Sequence, residues 1–263
     1  MIGVFDSGFG GLHVLCGIRE HLPRYDYVYF GDSGRAPYGP RAADEVLTFT
    51  QQGVNFLFEQ GAEMVLVACN TASSEALRII QQSSEKKVLG VLVPLAEAAV
   101  EKSRSKRIGV IATEGTVKSN AFVREIRKLE SGAEIFQKSC PGLVPLVEAG
   151  EEHSEQLKSF LVQYLDEVLI HKIDALVLGC THYGILEPFI AQVVGPKVQV
   201  ISDREVIGPK LKEYLARHTE IENSLSTGHA VQFYTSGDLE HFDEIGSRFF
   251  GASVKSRVAQ IAI

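Results

Sequence analysis

Short apolar runs alternate with longer amphipathic stretches along most of the chain. The apolar runs are rich in valine, isoleucine and leucine, which is typical of buried strands. They predict strands at Ile2–Phe5, Tyr27–Phe30, Val65–Ala68, Val88–Val93, Arg107–Ala112, Ala175–Leu178, Val198–Ile201 and Val231–Tyr234. Apolar residues at helical spacing predict helices at Gly11–His21, Asp44–Gln60, Glu75–Gln82, Ala96–Ser103, Val117–Leu129, Ser154–His171 and Leu239–Phe250. This alternation predicts an α/β fold of mostly parallel sheets flanked by helices.

Two segments of the chain resemble each other, and each carries a cysteine at the same point. Glu63–Thr71 and Asp174–His182 both consist of an acidic residue, an apolar run, a small residue, a cysteine and two further residues. Ile2–Gly8 resembles Ile108–Glu114 in the same way and at a similar offset. The two pairs predict an internal duplication of an α/β unit, and therefore two similar lobes with a cleft between them.

The duplicated cysteines have a chemical meaning in such an arrangement. If the two halves face each other, Cys69 and Cys180 approach one cleft from opposite sides. Inversion of a stereocentre is one of the few reactions that need an acid and a base on opposite faces of one carbon atom. Either cysteine taken alone could be a buried core residue, and the repeated sequence around them favours the catalytic interpretation.

The composition indicates a globular protein and excludes several classes. Of 263 residues, 45% are hydrophobic and 22% are charged, which is ordinary for a chain that buries a core. The net charge of −7 argues against general nucleic-acid binding, because that needs a concentrated basic surface. No apolar segment is long enough to span a bilayer, and Met1–Phe5 lacks the basic start of a signal peptide. We therefore expect a cytoplasmic protein with no membrane partner.

The four cysteines, Cys16, Cys69, Cys140 and Cys180, are widely spaced and form no C-x-x-C pair. In a cytoplasmic chain this usage favours free or catalytic thiols over disulfides. Cys16 lies in an apolar helical pattern and is predicted to be a small core residue, whereas Cys140 precedes a Pro-Gly turn without an evident role. Cys180 and His182 alone are too few for zinc, so no metal site is predicted.

Polar and reactive side chains follow several predicted strands at their carboxyl ends. Ligands bind at this edge of parallel sheets, where loops run into helix N-termini whose free amides favour anions. A cysteine at such a helix start is expected to have a lowered pKa and a larger thiolate fraction. The residues in these places are Asp6, Ser7, Cys69, Asn70, Thr71, Thr113, Cys180, Thr181 and His182.

Two loops are candidates for holding a ligand. Asp6–Gly11 is glycine-rich and opens a helix, but it has neither the G-x-G-x-x-G nor the G-K-[ST] spacing of nucleotide-binding loops. A turn whose amides meet a small carboxylate is the preferred interpretation; a nucleotide site and a plain turn remain alternatives. Gly31–Pro40 is long for an α/β connection, which indicates a binding role. Within it, Tyr38 either closes over a ligand or packs its ring under the loop.

Several motifs together resemble those of bacterial glutamate racemases, in the aspartate/glutamate racemase superfamily. They are spread over nearly the whole chain in the family's order: Phe5–Gly11, Tyr29–Asp32, Pro37–Gly39, Ala68–Ser73, Gly179–Tyr183 and Thr235–Asp238. The resemblance implies a racemase that acts on glutamate with no cofactor, pyridoxal included, and supplies D-glutamate for peptidoglycan. It also implies a homodimer, with a first lobe of residues 1–93 and 208–263, a second lobe of residues 94–207, and the active site between them.

The resemblance also assigns roles to residues. Cys69 matches the thiol that serves the D-enantiomer and Cys180 the thiol that serves the L-enantiomer; Asp6 and His182 match the residues that assist them. Glu148 resembles a family glutamate near the site. Substrate-holding positions are matched by Asp6, Ser7, Tyr38, Gly39, Asn70, Thr71, Thr113, Thr116, Thr181 and His182.

The chain departs from the family pattern in a few places. Gly184 stands where proline usually follows the second cysteine motif, which predicts a looser turn there. Ser202-Asp203 stand where Asp-Ser is usual, and Ser33-Gly34 where Thr-Ala is common. None of these changes removes a catalytic position. Two other functions stay open: racemisation of aspartate or another small acid, and amino-acid binding without catalysis.

Overall fold

The computed structural model describes residues 1–261. Its strands are β1 Ile2–Asp6, β2 Tyr27–Gly31, β3 Met64–Val67, β4 Lys87–Gly90, β5 Arg107–Ala112, β6 Glu134–Ser139, β7 Ala175–Gly179, β8 Gln199–Ile201, β9 Val231–Thr235 and β10 Ser256–Val258. Its α-helices are α1 Gly10–His21, α2 Ala43–Glu59, α3 Asn70–Glu75, α4 Leu77–Ser83, α5 Leu92–Lys102, α6 Glu114–Ser119, α7 Ala121–Leu129, α8 Leu143–Glu148, α9 Glu155–Leu169, α10 Glu187–Val194, α11 Asp203–Arg217, α12 Thr219–Glu222 and α13 Leu239–Phe250. Short 3₁₀ helices span Ser33–Arg35 and Thr181–Leu186. Within this described part, no helix has the length and apolar character that crossing a membrane requires.

The strands form two sheets, and every strand pairing within residues 1–261 is parallel. One sheet has the order β10-β9-β2-β1-β3-β4 and the other the order β6-β5-β7-β8. The central strands β1, β2, β3 and β7 are buried along their whole length, as parallel strands covered by helices on both faces must be. The predicted α/β class with parallel sheets flanked by helices is confirmed.

The two sheets share one strand order, as the predicted duplication requires. In the larger sheet β1 lies between β2 and β3, with β4 beyond β3; in the smaller sheet β5 lies between β6 and β7, with β8 beyond β7. The C-terminal strands β9 and β10 extend only the larger sheet, beside β2. The two cysteine-bearing loops therefore follow equivalent strands, β3 and β7. The predicted lobe boundaries, 93/94 and 207/208, fall inside α5 and α11 and stay predictions.

The helices α1 and α11 approach closely and join the two halves of the chain. α1 follows β1 of the larger sheet, whereas α11 follows β8 of the smaller one. A Cβ atom at Gly17 would lie 2.5 Å from the Arg204 carbonyl oxygen, and one at Gly208 would lie 2.8 Å from the carbonyl oxygen of Gly17. Only glycine permits backbone contact at this distance, so Gly208 serves helix packing.

Several local predictions are wrong. The predicted strand Val88–Val93 ends early, because β4 stops at Gly90 and α5 begins at Leu92. Pro94 consequently lies in the first turn of α5, where its missing N–H has no intrahelical partner to lose. Pro209 lies inside α11. The pattern also did not predict β6, β10, α8, α10 or α11; β6 is half-buried or exposed along its length and so lacks an apolar run.

Gly184 packs against α1 in the 3₁₀ helix that follows Cys180. A Cβ atom at Gly184 would lie 2.6 Å from Cδ2 of His13, closer than side-chain contacts allow. Nδ1 of the half-buried His13 lies 3.5 Å from Nη1 of Arg204. Burial, together with the positive charge of Arg204, lowers the pKa of His13 to about 4. A side chain at position 184, including the proline that the resemblance leads one to expect, therefore needs His13 to move.

We expect Gly184→Ala to lower the free energy of unfolding by roughly 1–3 kcal/mol, because the added methyl group overlaps the His13 ring. Denaturant unfolding measures the change. Gly132→Ala is the matched control, since a Cβ atom there would meet only Glu130 Oε1 at 3.6 Å. In a His13→Ala background the Gly184→Ala loss should largely disappear; an equal loss in both backgrounds would show that the two residues are not a packed pair.

Candidate active site

The carboxyl ends of the strands surround a cavity of about 40 Å³ between the two sheets. It is bounded by loops that follow β1, β2 and β3 of the larger sheet and β5 and β7 of the smaller one, where parallel sheets bind ligands. Its lining comprises Ser7, Gly8, Ala36, Pro37, Tyr38, Gly39, Cys69, Asn70, Thr71, Thr113, Val144, Glu148, Cys180, Thr181 and His182. Most of the predicted site residues thus meet here, whereas Asp6 and Thr116 lie directly behind the lining.

Cys69 lies at the start of α3, just after β3. Its side chain is buried, and its Sγ atom lies 3.4 Å from the Ser7 hydroxyl and accepts from the Ala72 amide at 3.5 Å. Ser7 follows β1, the strand that pairs with β3, so neighbouring strands bring these two side chains together. The hydroxyl group is placed to stabilise a negative charge on the sulfur.

Cys180 occupies the equivalent place after β7 and faces a histidine. Its Sγ atom lies 3.9 Å from Nδ1 of His182, whose Nε2 lies 2.8 Å from Oε1 of Glu148 in α8. A Glu148 carboxylate can only accept, which favours the tautomer with the proton on Nε2 and leaves Nδ1 to accept from the thiol. The ring of Phe249 packs edge-on against the imidazole, at 5.3 Å between centroids, and holds it in place.

Burial raises the pKa of both thiols, so the prediction that helix N-termini lower it is wrong. Desolvation, with a smaller effect from the Asp6 carboxyl group, raises the pKa of Cys69 to about 11 despite the hydrogen bonds from Ser7 and Ala72. The pKa of Cys180 is raised as well, again mainly by desolvation. One or two donors do not offset the loss of water around an anionic sulfur. Burial therefore disfavours the thiolate of either cysteine unless a neighbouring group takes up the proton.

Asp6 lies at the end of β1, behind the cavity wall. Its carboxyl group accepts from the Gly8 amide at 3.0 Å and from the Thr181 hydroxyl at 3.3 Å, and burial raises its pKa. The glycine-rich loop wraps around this group: a Cβ atom at Gly11 would lie 2.5 Å from the Asp6 Cβ. Because the loop is turned inward on Asp6, the nucleotide alternative is disfavoured.

Three threonine hydroxyls form a cluster that links the two sheets. Oγ1 of Thr113 lies 2.9 Å from that of Thr71 and 3.0 Å from that of Thr116, and Thr116 lies 3.4 Å from Thr71. Thr71 belongs to α3 of the first half, whereas Thr113 caps α6 in the second. Gly39 covers the cluster, since a Cβ atom there would lie 3.0 Å from the Thr113 Cβ. Hydroxyls both donate and accept, so the cluster can offer donors to a carboxylate.

Tyr38 packs under its loop, which is one of its two predicted places. Its ring contacts Phe5 and Phe49, with centroids 6.3 and 5.9 Å away, and only 1% of the residue is exposed. The Tyr38 hydroxyl donates to the buried Asp32 carboxylate. Tyr38 therefore forms part of the cavity wall with its hydroxyl already bound.

Asn70 connects the cavity to Asp203, which the sequence marked only as a departure from the family pattern. The Asn70 amide nitrogen donates to Asp203 Oδ2 at 2.9 Å, and both side chains are buried. Asp203 begins α11 just after β8, so it lies at the carboxyl end of a strand like the other site residues. The predicted strand Val198–Ile201 was the signal that could have pointed to it.

A larger cavity of about 470 Å³ adjoins the small one. Cys140 lines the larger cavity only, and burial raises its pKa to about 12. All four cysteines of the chain are free, and Cys16 is half-buried against the core. Both cavities are lined by Ala36, Pro37, Gly39, Thr113, Val144 and Glu148. The two cavities are therefore adjacent, and the larger one lies beside the space that holds the thiols.

The small cavity offers neutral donors. Within residues 1–261, no lysine or arginine lines it. In the same described part, no three His, Cys, Asp or Glu side chains are grouped so that they could hold a metal ion. The available donors are hydroxyls, the Asn70 carboxamide and the amides at helix starts. Such groups can hold a carboxylate without a cation nearby.

Comparison with known proteins relates this geometry to a family. Residues 16–206 match the family model described as Asp/Glu/Hydantoin racemase. Over 253 residues the chain is 39% identical to the glutamate racemase of Oceanobacillus iheyensis. This match covers 96% of this chain and 92% of that protein. These matches extend well beyond the cysteine motifs.

Solved structures give the same relation. Glutamate racemase isoform RacE1 from Bacillus anthracis superposes with a TM-score of 0.92 at 35% identity, over 98% of this chain and 96% of that one. The glutamate racemase from Francisella tularensis, solved in complex with D-glutamate, gives a TM-score of 0.87 at 29% identity, over 100% and 97% of the two chains. The chain therefore belongs to the Asp/Glu/hydantoin racemase family, among its glutamate racemases.

Proposed function

We propose that this protein interconverts L- and D-glutamate by proton transfer between its two cysteines and the α-carbon, without a cofactor. The observation that carries the proposal is that Cys69 and Cys180, from two different sheets, line one small cavity. An α-carbon held between them meets one sulfur on each face, as inversion requires. The relatives named as glutamate racemases, one of them solved with D-glutamate, support glutamate as the substrate.

Starting from D-glutamate, the Cys69 thiolate removes the α-proton and the Cys180 thiol donates its proton to the opposite face. Starting from L-glutamate, the two cysteines exchange roles. Each turnover therefore leaves one thiol and one thiolate with the charge moved to the other sulfur. The two sulfurs share one negative charge, so their titration belongs to the pair.

Each thiol needs a group that accepts its proton, because both have a raised pKa. Beside Cys180, Nδ1 of His182 takes the proton, and Glu148 stabilises the resulting imidazolium. Beside Cys69, the Ser7 hydroxyl stabilises the thiolate, and the buried Asp6 carboxyl group, whose charge acts on Cys69, takes up the proton. The same desolvation makes each thiolate a stronger base once formed, which suits the very weakly acidic α-proton.

The substrate carboxylates are held by neutral donors from both halves of the chain. The threonine cluster supplies hydroxyls from both sheets, and Asn70 supplies a carboxamide. We propose substrate-holding roles for residues of the lining, with the Tyr38 ring shaping the wall and with Asp6 and Thr116 supporting the lining from behind. The lining residues with this role are Ser7, Gly39, Asn70, Thr71, Thr113, Thr181 and His182.

The biological setting is proposed from the family resemblance. D-glutamate made by this protein serves peptidoglycan synthesis, and the protein acts in the cytoplasm as a homodimer. Each protomer has one lobe of residues 1–93 and 208–263 and another of residues 94–207. Light scattering coupled to size-exclusion chromatography measures the oligomeric state.

Cys69→Ser and Cys180→Ser should each lower kcat for racemisation by roughly 10²–10⁴-fold, since a serine hydroxyl replaces a thiol poorly as acid or base. Circular dichroism of L- and D-glutamate follows the reaction. Cys16→Ser is the matched control, because Cys16 lies in α1 outside the cavity lining, and it should retain activity. Near wild-type turnover in either site variant would reject the two-thiol mechanism.

The value of kcat/KM for glutamate should exceed that for aspartate by at least ~100-fold. A shorter acid that fills one end of the cavity leaves buried donors at the other end unpaired, at roughly 1–3 kcal/mol each. Initial rates with both enantiomers of both acids give the ratio. Comparable efficiency for the two acids, or a preference for aspartate, would instead favour the aspartate racemase alternative and leave the two-cysteine chemistry intact.

Full activity should persist after dialysis against a chelator and in buffer free of pyridoxal phosphate, because the proposed acid and base are both side chains of the chain. The measurement is the rate of glutamate racemisation before and after treatment, with metal analysis of the dialysed protein. Loss of activity that a divalent ion or pyridoxal phosphate restores would contradict a cofactor-independent reaction.

A further inference from the structure

The Asn70–Asp203 pair is a buried polar contact that the proton-transfer scheme leaves unused. Asp203 is 3% exposed and Asn70 is 2% exposed. Their hydrogen bond joins α3, which follows β3 of the larger sheet, to α11, which follows β8 of the smaller sheet. Asn70 lines the cavity directly beside Cys69, whereas Asp203 does not line it.

One oxygen atom on each of these side chains has no hydrogen-bond partner. Within residues 1–261, Asn70 Oδ1 and Asp203 Oδ1 are both buried and unbonded. While Asp203 is a carboxylate, both atoms can only accept, so the two groups make one hydrogen bond and leave two buried acceptors unsatisfied. A proton on Asp203 removes this mismatch, because a carboxylic acid and a carboxamide each have one donor and one acceptor for the other.

The surroundings of Asp203 also disfavour a negative charge. Burial, with a smaller effect from the Asp6 carboxyl group, raises the pKa of Asp203 to about 8, and the hydrogen bond from Asn70 opposes this only in part. An ionised Asp203 would in turn raise the pKa of Cys180 further.

Other titratable side chains on the elements packed against α11 contact groups other than Asp203; His21 of α1, for example, lies against Gly208. His182, on the 3₁₀ helix, faces Glu148. On α12, His218 pairs with Glu220. The helices α1 and α5 contribute His13 and Glu20, which contact Arg204, Glu97, which pairs with Lys210, and Lys102, which pairs with Glu205.

We propose that Asp203 is a positioning residue for the substrate: in its uncharged form it engages both polar atoms of the Asn70 carboxamide, so that the remaining N–H of Asn70 is held for a carboxylate in the cavity. This inference rests on the proposed function, which makes that carboxylate part of glutamate. Ionisation of Asp203 frees Asn70 Oδ1 and adds a negative charge beside an anionic substrate. Asp203 therefore acts on KM through Asn70 and takes no part in the proton transfer.

Three variants test the role of the Asp203 side chain. Asp203→Ala removes both contacts to Asn70 and should raise KM for glutamate about tenfold, with a smaller change in kcat. Asp203→Asn keeps one donor and one acceptor at every pH, so it should restore most of that loss. Ser202→Ala is the matched control: Ser202 is equally buried, its hydroxyl has no hydrogen-bond partner among residues 1–261, and the change should leave KM unaltered.

The pH dependence distinguishes positioning from a purely structural role. Wild-type KM should rise as the pH passes through about 8, where Asp203 ionises, and Asp203→Asn should lack this rise.

The free energy of unfolding gives a second readout that does not depend on turnover. Folding raises the pKa of the Asp203 carboxyl group from 3.8 to about 8. Its contribution to the stability of the fold is therefore complete below pH 3.8, falls as the pH rises, and is lost once the pH has passed about 8. Wild type should therefore lose stability relative to Asp203→Asn across this range.

The outcomes separate this inference from the proposed function. An equal KM loss in Asp203→Asn and Asp203→Ala would overturn the uncharged role, and an unchanged KM in Asp203→Ala would overturn positioning altogether. If Asp203→Ala does not fold, the comparison of wild type with Asp203→Asn decides: a stability difference that does not vary with pH overturns the proposal. If the wild type fails to racemise glutamate, the proposed function fails, while this stability comparison still determines the charge state of Asp203.

Discussion

Removal of water from two sulfur atoms is the physical constraint on which the candidate site depends. Cys69 and Cys180 lie in a cavity of about 40 Å³, and burial outweighs the hydrogen bonds that each sulfur receives. Desolvation makes a thiolate hard to form and, once formed, strongly basic. The polar side chains next to each sulfur are explained by this constraint, because Ser7 and the His182–Glu148 pair offset part of the loss of water.

The same constraint extends to the other charges near the cavity. Asp6 and Asp203 are buried carboxyl groups, and burial raises the pKa of both. A site that takes up an anionic substrate and creates a thiolate would be opposed by further negative charge. Apart from Glu148, which pairs with His182, the lining offers neutral donors, and the carboxyl groups behind it resist ionisation. The hydrogen bond between Asn70 and Asp203 joins a side chain on the cavity lining to a carboxyl group behind it.

The repeated α/β unit brings the two buried sulfur atoms to one cavity. Because β3 and β7 occupy equivalent places in sheets of the same strand order, the loops after them carry equivalent cysteines. Close packing then keeps the halves together. Gly17 and Gly208 allow α1 and α11 to approach, and Gly184 makes room for His13 next to the second cysteine motif. Each glycine is explained by what lies opposite it in space.

The sequence by itself determined the α/β class, the repeated strand-to-cysteine unit and the set of residues at the strand ends, because these are local patterns of apolar runs and short motifs. Only the tertiary structure decided the direction of the cysteine pKa shifts, since burial belongs to the assembled sheets and overrides the local helix start. It also decided the packed place of Tyr38 and the bond between Asn70 and Asp203, which are 133 residues apart. Such contacts form when chain segments distant in sequence pack together, and no local pattern records them.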